Sequence, residues 1–156
     1  MMYLDTNIIY NYIFETELTT YATEALSAPE PKIISDTAIS EAIFVTLRKL
    51  AKDEYEINST KSLREALKSN KVPPEILSKA YSYVKATLAF HNVVTIPENV
   101  SWEDTIILAQ KYHLLPNDAR ILATLLTNGA DKLATLDKDF QNVSGVVELC
   151  PKSFWK

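Results

Sequence analysis

The chain has 156 residues, enough for a single domain over 1–156 that buries about 70% of the surface its unfolded form exposes. Hydrophobic residues make up 47% and charged residues 23%, which excludes a disordered chain. Sixteen Lys and Arg stand against 20 Asp and Glu, a net charge of −4, so no broad basic field marks the chain as a nucleic-acid binder.

Met1–Leu4 is an apolar run and predicts a strand. Asn7–Phe14 follows as a helix with Ile9 and Ile13 inward, and Thr19–Ser27 as a second short helix. Lys32–Ser35, next to prolines, predicts another strand. Asp36 or Thr37 then caps a long helix reaching Tyr55, with Ile39, Ile43, Leu47 and Leu50 at helical spacing. Thr60–Asn70 is a helix with Lys61, Arg64 and Lys68 on one face, a stripe that Lys71 extends and that reads as a solvated surface. In Pro74–Leu88 the residues Leu77, Tyr81, Val84 and Leu88 form an apolar stripe that predicts core first and a dimer or partner surface second. Val93–Ile96 is a strand and Trp102–Tyr112 a helix; Trp102, Phe154 and Trp155 read as packing residues. Pro116 and Asn117 open a largely apolar helix to Thr127, closed by Gly129. Lys132–Thr135 and Val146–Leu149 are the last strands. Short apolar strands alternating with helices predict an α/β fold with a mainly parallel central sheet.

Only two glycines occur, Gly129 and Gly145, where average usage gives about eleven. That excludes a Walker A loop and a dinucleotide-binding glycine turn, so any phosphate must be handled by side chains or metal. The one cysteine, Cys150, excludes an internal disulfide and a Cys-based zinc site, and reads as a small buried hydrophobe. His91 and His113 fall in polar connections and suggest no nucleophile–base pair. No basic-then-apolar leader and no apolar run near 18 residues is visible, which sets the expectation of a cytoplasmic protein without a membrane segment.

Four acids fall at equivalent places in the alternation. Asp5 follows the first strand and Asp137 follows Lys132–Thr135. Glu41 lies early in the long helix and Asp118 in the first turn of the apolar one. In a parallel sheet, strand C-termini and the next helix N-termini share one edge, so all four can converge, with Asp139 as a fifth. Each alone fits a turn or a helix dipole. Together they repel, by about 4 kcal/mol per pair at 4 Å and an effective dielectric of 20. An all-oxygen cluster without His or Cys is what Mg²⁺ or Mn²⁺ prefers. Thr6 and Asn7 either hold the Asp5 carboxylate or cap the next helix, and both are compatible. Thr135 lies on the same strand face as Asp137. Arg120, two residues from Asp118, either pairs with a site carboxylate or touches phosphate; Lys138 is the other nearby cation.

Tyr3-Leu4-Asp5-Thr6-Asn7, Ser40-Glu41-Ala42, Asp118-Ala119-Arg120-Ile121-Leu122-Ala123-Thr124 and Leu133-Ala134-Thr135-Leu136-Asp137-Lys138-Asp139-Phe140 together resemble the PIN-domain nucleases, in order and spacing along the whole chain. The small size makes the toxin ribonucleases of the VapC type the nearest likeness. The resemblance implies a three-layer α/β/α sandwich, a site of Asp5, Glu41, Asp118 and Asp137 with Asp139 added, and Asn7 and Thr135 as supporting polar groups. It implies Mg²⁺ (or Mn²⁺) holding a water that attacks RNA phosphodiester bonds in line, leaving 5′-phosphate and 3′-hydroxyl ends. It also implies a small antitoxin protein as partner and frequent homodimers, and it says least about residues 55–90. Arg48, Lys49 and Lys52 late in the long helix, with Arg120 and Lys138, are candidates for the RNA backbone. The alternatives are an RNA-processing PIN nuclease without an antitoxin, a silent PIN-like module binding RNA or protein, and an aspartyl-phosphate phosphatase. The last asks for a second Asp two residues after the first, where Asn7 stands. Setting the five candidate acids aside leaves 15 acids against 16 bases, so the acidity is small enough to reside in the site.

Overall fold

In the computed structural model, which describes residues 1–156, residue alternation within the strands assigns the layers. Five strands are formed: β1 (Met2–Leu4), β2 (Lys32–Ser35), β3 (Val94–Ile96), β4 (Lys132–Ala134) and β5 (Glu148–Cys150). They lie in the order β3-β2-β1-β4-β5, and every neighbouring pair is parallel. Seven α-helices connect them: α1 (Thr6–Ile13), α2 (Thr19–Ser27), α3 (Asp36–Tyr55), α4 (Thr60–Lys68), α5 (Glu75–Phe90), α6 (Trp102–Tyr112) and α7 (Pro116–Thr127). A 3-10 helix, Lys138–Val143, joins β4 to β5.

Successive strand residues face opposite sides. Met2, Leu4, Ile34, Ala134 and Cys150 pack in one cluster with Ile8 and Ile9 of α1, Ala22 and Leu26 of α2, Ala38 and Ala42 of α3, and Val84 of α5. Tyr3, Ile33, Leu133 and Leu149 pack on the other side with Leu122 and Leu125 of α7 and Phe140 of the 3-10 helix. The expected three-layer α/β/α sandwich follows from these two clusters, because a parallel sheet must be covered on both faces. A third cluster contains no strand residue: Leu47, Leu50 and Ala51 of α3, Leu63 and Ala66 of α4, Val72, and Ile76 and Ala80 of α5. Cys150 is buried, as its sequence context suggests, and burial pushes its thiol up to about 11.

Several elements differ from expectation for local reasons. The last strand begins at Glu148 rather than Val146, because the N–H groups of Val146 and Val147 still bond the Val143 carbonyl in the turn that closes the 3-10 helix. α3 is capped by Ser35, whose hydroxyl accepts from the Ala38 N–H, not by Asp36 or Thr37. α1 starts at Thr6, and its cap is Asp5 itself. The buried line of α5 is Ile76, Ala80, Val84 and Thr87. The predicted stripe is offset from it: Val84 is core, but Leu77 and Tyr81 are 45% and 50% exposed. Both lines have helical period; α5 packs on α3 through the one whose small Ala80 permits close approach. Trp102 is 69% exposed and is no packing residue. Gly129 takes a positive φ of 74° directly after the last helical turn, and the Ala130 N–H bonds back to the Leu125 carbonyl, so the α7 terminus forms as expected. No helix is long and apolar enough to cross a membrane.

Candidate active site

All-parallel strands bring every strand C-terminus to one edge, and the following helices start there. At that edge lies a cleft of about 1130 Å³ lined by Asp5, Glu41, Asp118, Asp137 and Asp139. The topology therefore collects all five candidate acids. One oxygen from each of Asp118, Asp137 and Asp139 lies within 4.8 Å of the others. None of the five carboxylates forms an ion pair.

Asp5 is held from three directions. Its Oδ1 accepts the Thr6 N–H at 2.8 Å, which caps α1. Its Oδ2 accepts the Thr135 hydroxyl at 2.7 Å and Asn7 Nδ2 at 3.1 Å. The Asn7 side chain in turn accepts the Leu136 N–H at 3.0 Å, so it ties α1 to the end of β4. Asp137 caps the 3-10 helix by accepting the Asp139 N–H at 2.9 Å, and its own N–H donates to the Thr135 hydroxyl at 3.1 Å. Thr6 does not cap α1. Its hydroxyl donates to the Ala38 carbonyl at 3.1 Å and lies 3.5 Å from Glu41 Oε2. Glu41 sits in the second turn of α3, one turn later than an acid that complements the helix dipole. Asp118 lies in the first turn of α7 after Pro116, where the helix N-terminus favours an acid.

Crowding shows in the acidity. Burial, with the Glu41 and Asp118 charges adding, lifts Asp5 to about 6 against the bonds from Thr135 and Thr6. Asp118 is raised by burial and by the charges of Asp137, Asp139 and Glu41. The donors are all carboxylate oxygens, and opposite ligands in an octahedron at Mg–O distances near 2.1 Å stand about 4.2 Å apart. The Asp118–Asp137–Asp139 group thus suits a hard divalent cation in donor type, with its oxygens gathered to within 4.8 Å of one another.

The cleft also carries three bases, Arg48, Lys49 and Lys52. Val45, Arg48, Lys49 and Lys52 continue the Glu41 face of α3 along the cleft, which Leu115–Asp118 and Ile121 also line. Lys61, Arg64, Lys68 and Lys71 are exposed outside the cleft, as a solvated face. Neither histidine lines the cleft. His91 packs edge-on against Tyr12, and His113 terminates α6 in a left-handed conformation.

Arg120 pairs with neither Asp118 nor any other of the five acids. Its Nε donates to Glu98, a residue that no sequence motif singles out. Its position carries the signal: Glu98 stands two residues past β3, at the same sheet edge as Asp137. Lys138 does not line the cleft but a hollow that shares Asp118 and Asp139 with it, and its ammonium lies 4.1 Å from the Phe154 ring centre and 4.9 Å from that of Trp155. Trp155 has a second task, since its indole N–H donates to the Thr135 carbonyl at 3.0 Å.

A parallel α/β sandwich with an acidic cleft at the C-terminal sheet edge is the general class. The PIN domain family model matches residues 2–146, so the chain belongs to the PIN domain family. Mycobacterium tuberculosis VapC20, a Sarcin-Ricin loop cleaving toxin, has a similar fold at 14% identity with a TM-score of 0.59, covering 97% of this chain and all of that one. A chain of a toxin-antitoxin complex from Klebsiella pneumoniae is similar at 20% identity and a TM-score of 0.56, covering 97% of each. No curated protein matches the sequence.

Proposed function

We propose that the protein is a divalent-metal-dependent endoribonuclease and the toxin of a toxin–antitoxin pair, with residues 1–156 acting as one domain. The observation that carries this reading is the convergence of five unpaired carboxylates in one cleft of a PIN-family chain. Asp5, Glu41, Asp118 and Asp137, with Asp139, would hold Mg²⁺ or Mn²⁺. When bound, the ion supplies a Lewis acid and a water of lowered pKa. Thr135 and Asn7 hold Asp5 Oδ2, the Thr6 N–H holds Oδ1, and the Thr6 hydroxyl contacts Glu41. The RNA backbone runs along Arg48, Lys49 and Lys52, which lie in the cleft, while Arg120 is paired with Glu98 and Lys138 lies over the Phe154 and Trp155 rings.

A small antitoxin is the expected partner, supported by the toxin–antitoxin complex among similar structures. A homodimer is the expected assembly; Phe44 on α3 and Leu77 and Tyr81 on α5 supply exposed apolar surface on two helices that pack together.

Incubation of RNA with the purified protein tests the reading. Cleavage is expected in Mg²⁺ or Mn²⁺ and not in EDTA. Asp118→Asn should reduce it by about 100-fold or more, the upper end of what losing a mere supporting partner costs at a metal site. Equal cleavage by Asp118→Asn and wild type would overturn the assignment. Coexpression with the product of an adjacent short reading frame should relieve growth arrest if that product is the antitoxin.

A further inference from the structure

Glu98 lies behind the cleft, with its side chain only 8% exposed. Its Oε1 accepts the Thr37 N–H at 2.9 Å, in the first turn of α3. Its Oε2 accepts Arg120 Nε from α7. Burial pushes the Glu98 carboxyl up, but the bonds from Thr37 and Arg120 outweigh it and hold it below the ordinary value. The carboxylate is therefore an anion held between two helices that each carry a site acid. Glu41 is four residues, about one helical turn, after Thr37, and Asp118 is two residues before Arg120.

A small cavity joins this pair to the site. Glu41, Glu98 and Arg120 all line it, together with Ser35, Tyr3 and Thr124. The Arg120 side chain is 41% exposed and so is not locked by packing. A guanidinium next to a free carboxylate pairs with it, often through two parallel bonds. Without Glu98, the one carboxylate left lining the cavity is Glu41, which forms no ion pair of its own. An arginine on Glu41 would occupy oxygens and cancel charge that a divalent cation needs. Glu98 prevents this for a specific reason: its other oxygen is already fixed by a backbone N–H at the α3 N-terminus, where the helix dipole favours an anion.

We propose that Glu98 is a positioning residue that holds Arg120 away from Glu41 and so keeps Glu41 available to the divalent cation. The inference rests on the metal-site reading above and adds a residue outside the acidic set.

Calorimetric Mn²⁺ titration of the full chain tests it, with thermal unfolding recorded with and without Mn²⁺. Glu98→Ala should weaken Mn²⁺ binding by about 10- to 100-fold, the usual range for losing a supporting partner. Glu98→Gln keeps the side-chain shape and an oxygen for Thr37, so it folds wherever the alanine variant does not, and it should weaken binding about 10-fold. Glu98→Ala combined with Arg120→Ala should restore Mn²⁺ affinity to about threefold of wild type, while its metal-free melting temperature stays low. A residue that merely stabilised the fold would give no such rescue. Wild-type affinity in both Glu98 variants overturns the inference, as does a double variant no better than Glu98→Ala. Failure of the wild type itself to bind Mn²⁺ would instead overturn the metal-site reading.

Discussion

Thr135 donates its hydroxyl to Asp5 across 2.7 Å, joining residues 130 positions apart in the chain. The same oxygen accepts the Asp137 N–H and faces Asn7 Nδ2 at 3.3 Å. One fully buried hydroxyl therefore orients two of the acids that the cleft gathers. Thr135→Val keeps the shape and removes every bond of the hydroxyl. It should lower metal affinity or cleavage by about 10- to 100-fold and stability by about 1–3 kcal/mol. Thr135→Ser should retain most of both. Mn²⁺ titration and urea unfolding check this, and a valine variant indistinguishable from wild type would show that the hydroxyl orients nothing.

The raised acidity of Asp5 has a sign that unfolding can read. In the unfolded chain its carboxyl titrates near 3.9, and burial lifts it to about 6 in the fold. Between those values the folded state holds the extra proton, so metal-free protein loses stability as pH rises from about 4 to about 6. Two units correspond to about 3 kcal/mol. Asp118 is shifted in the same direction, chiefly by burial, and adds to the trend. Asp5→Asn removes the Asp5 share. In EDTA at pH 7 it should be more stable than wild type by up to about 3 kcal/mol, and that gap should close near pH 4. A gap independent of pH would refute the buried-charge explanation.

The α3 bases make a prediction about salt. Arg48 and Lys52 lie in the cleft, and neither holds an ion pair, whereas Lys49 pairs with Asp53 at 3.1 Å. Removing one cation that binds a phosphate should reduce the slope of log affinity against log salt by about 0.7 for a single strand. Arg48→Ala and Lys52→Ala should raise KM for RNA several-fold and leave kcat nearly unchanged, whereas Lys61→Ala on the solvated stripe should change neither. An equal effect from Lys61 would move the RNA path off the cleft.

Much of the fold is legible in the sequence because strand and helix signals agree. The runs at Met2–Leu4, Lys32–Ser35 and Lys132–Ala134 are apolar and short, and Gly129 closes α7 where a positive φ is needed. The acidic positions are legible too, since a parallel sheet leaves one edge for residues that follow strands. What stays hidden depends on rotation and partner choice. The offset between the Leu77–Tyr81 line and the buried Ile76–Ala80 line is one residue, and helical period fits either. Arg120 has acids nearby in sequence, yet the partner it takes is 22 residues away. The 3-10 helix is hidden because its cap, Asp137, doubles as a site acid and gives no separate helix signal.

Asp5 and Asp137 each bind the end of a helix with the carboxylate that faces the cleft. Drift at these positions is therefore filtered twice, once by chemistry and once by folding. Most replacements would forfeit an N-cap worth about 1 kcal/mol, but Asn caps about as well as Asp. A lineage that abandoned cleavage while keeping the fold would pass through Asn at positions 5 and 137. Descendants of this chain that have gone silent should carry that signature, with the helices intact and the charge gone.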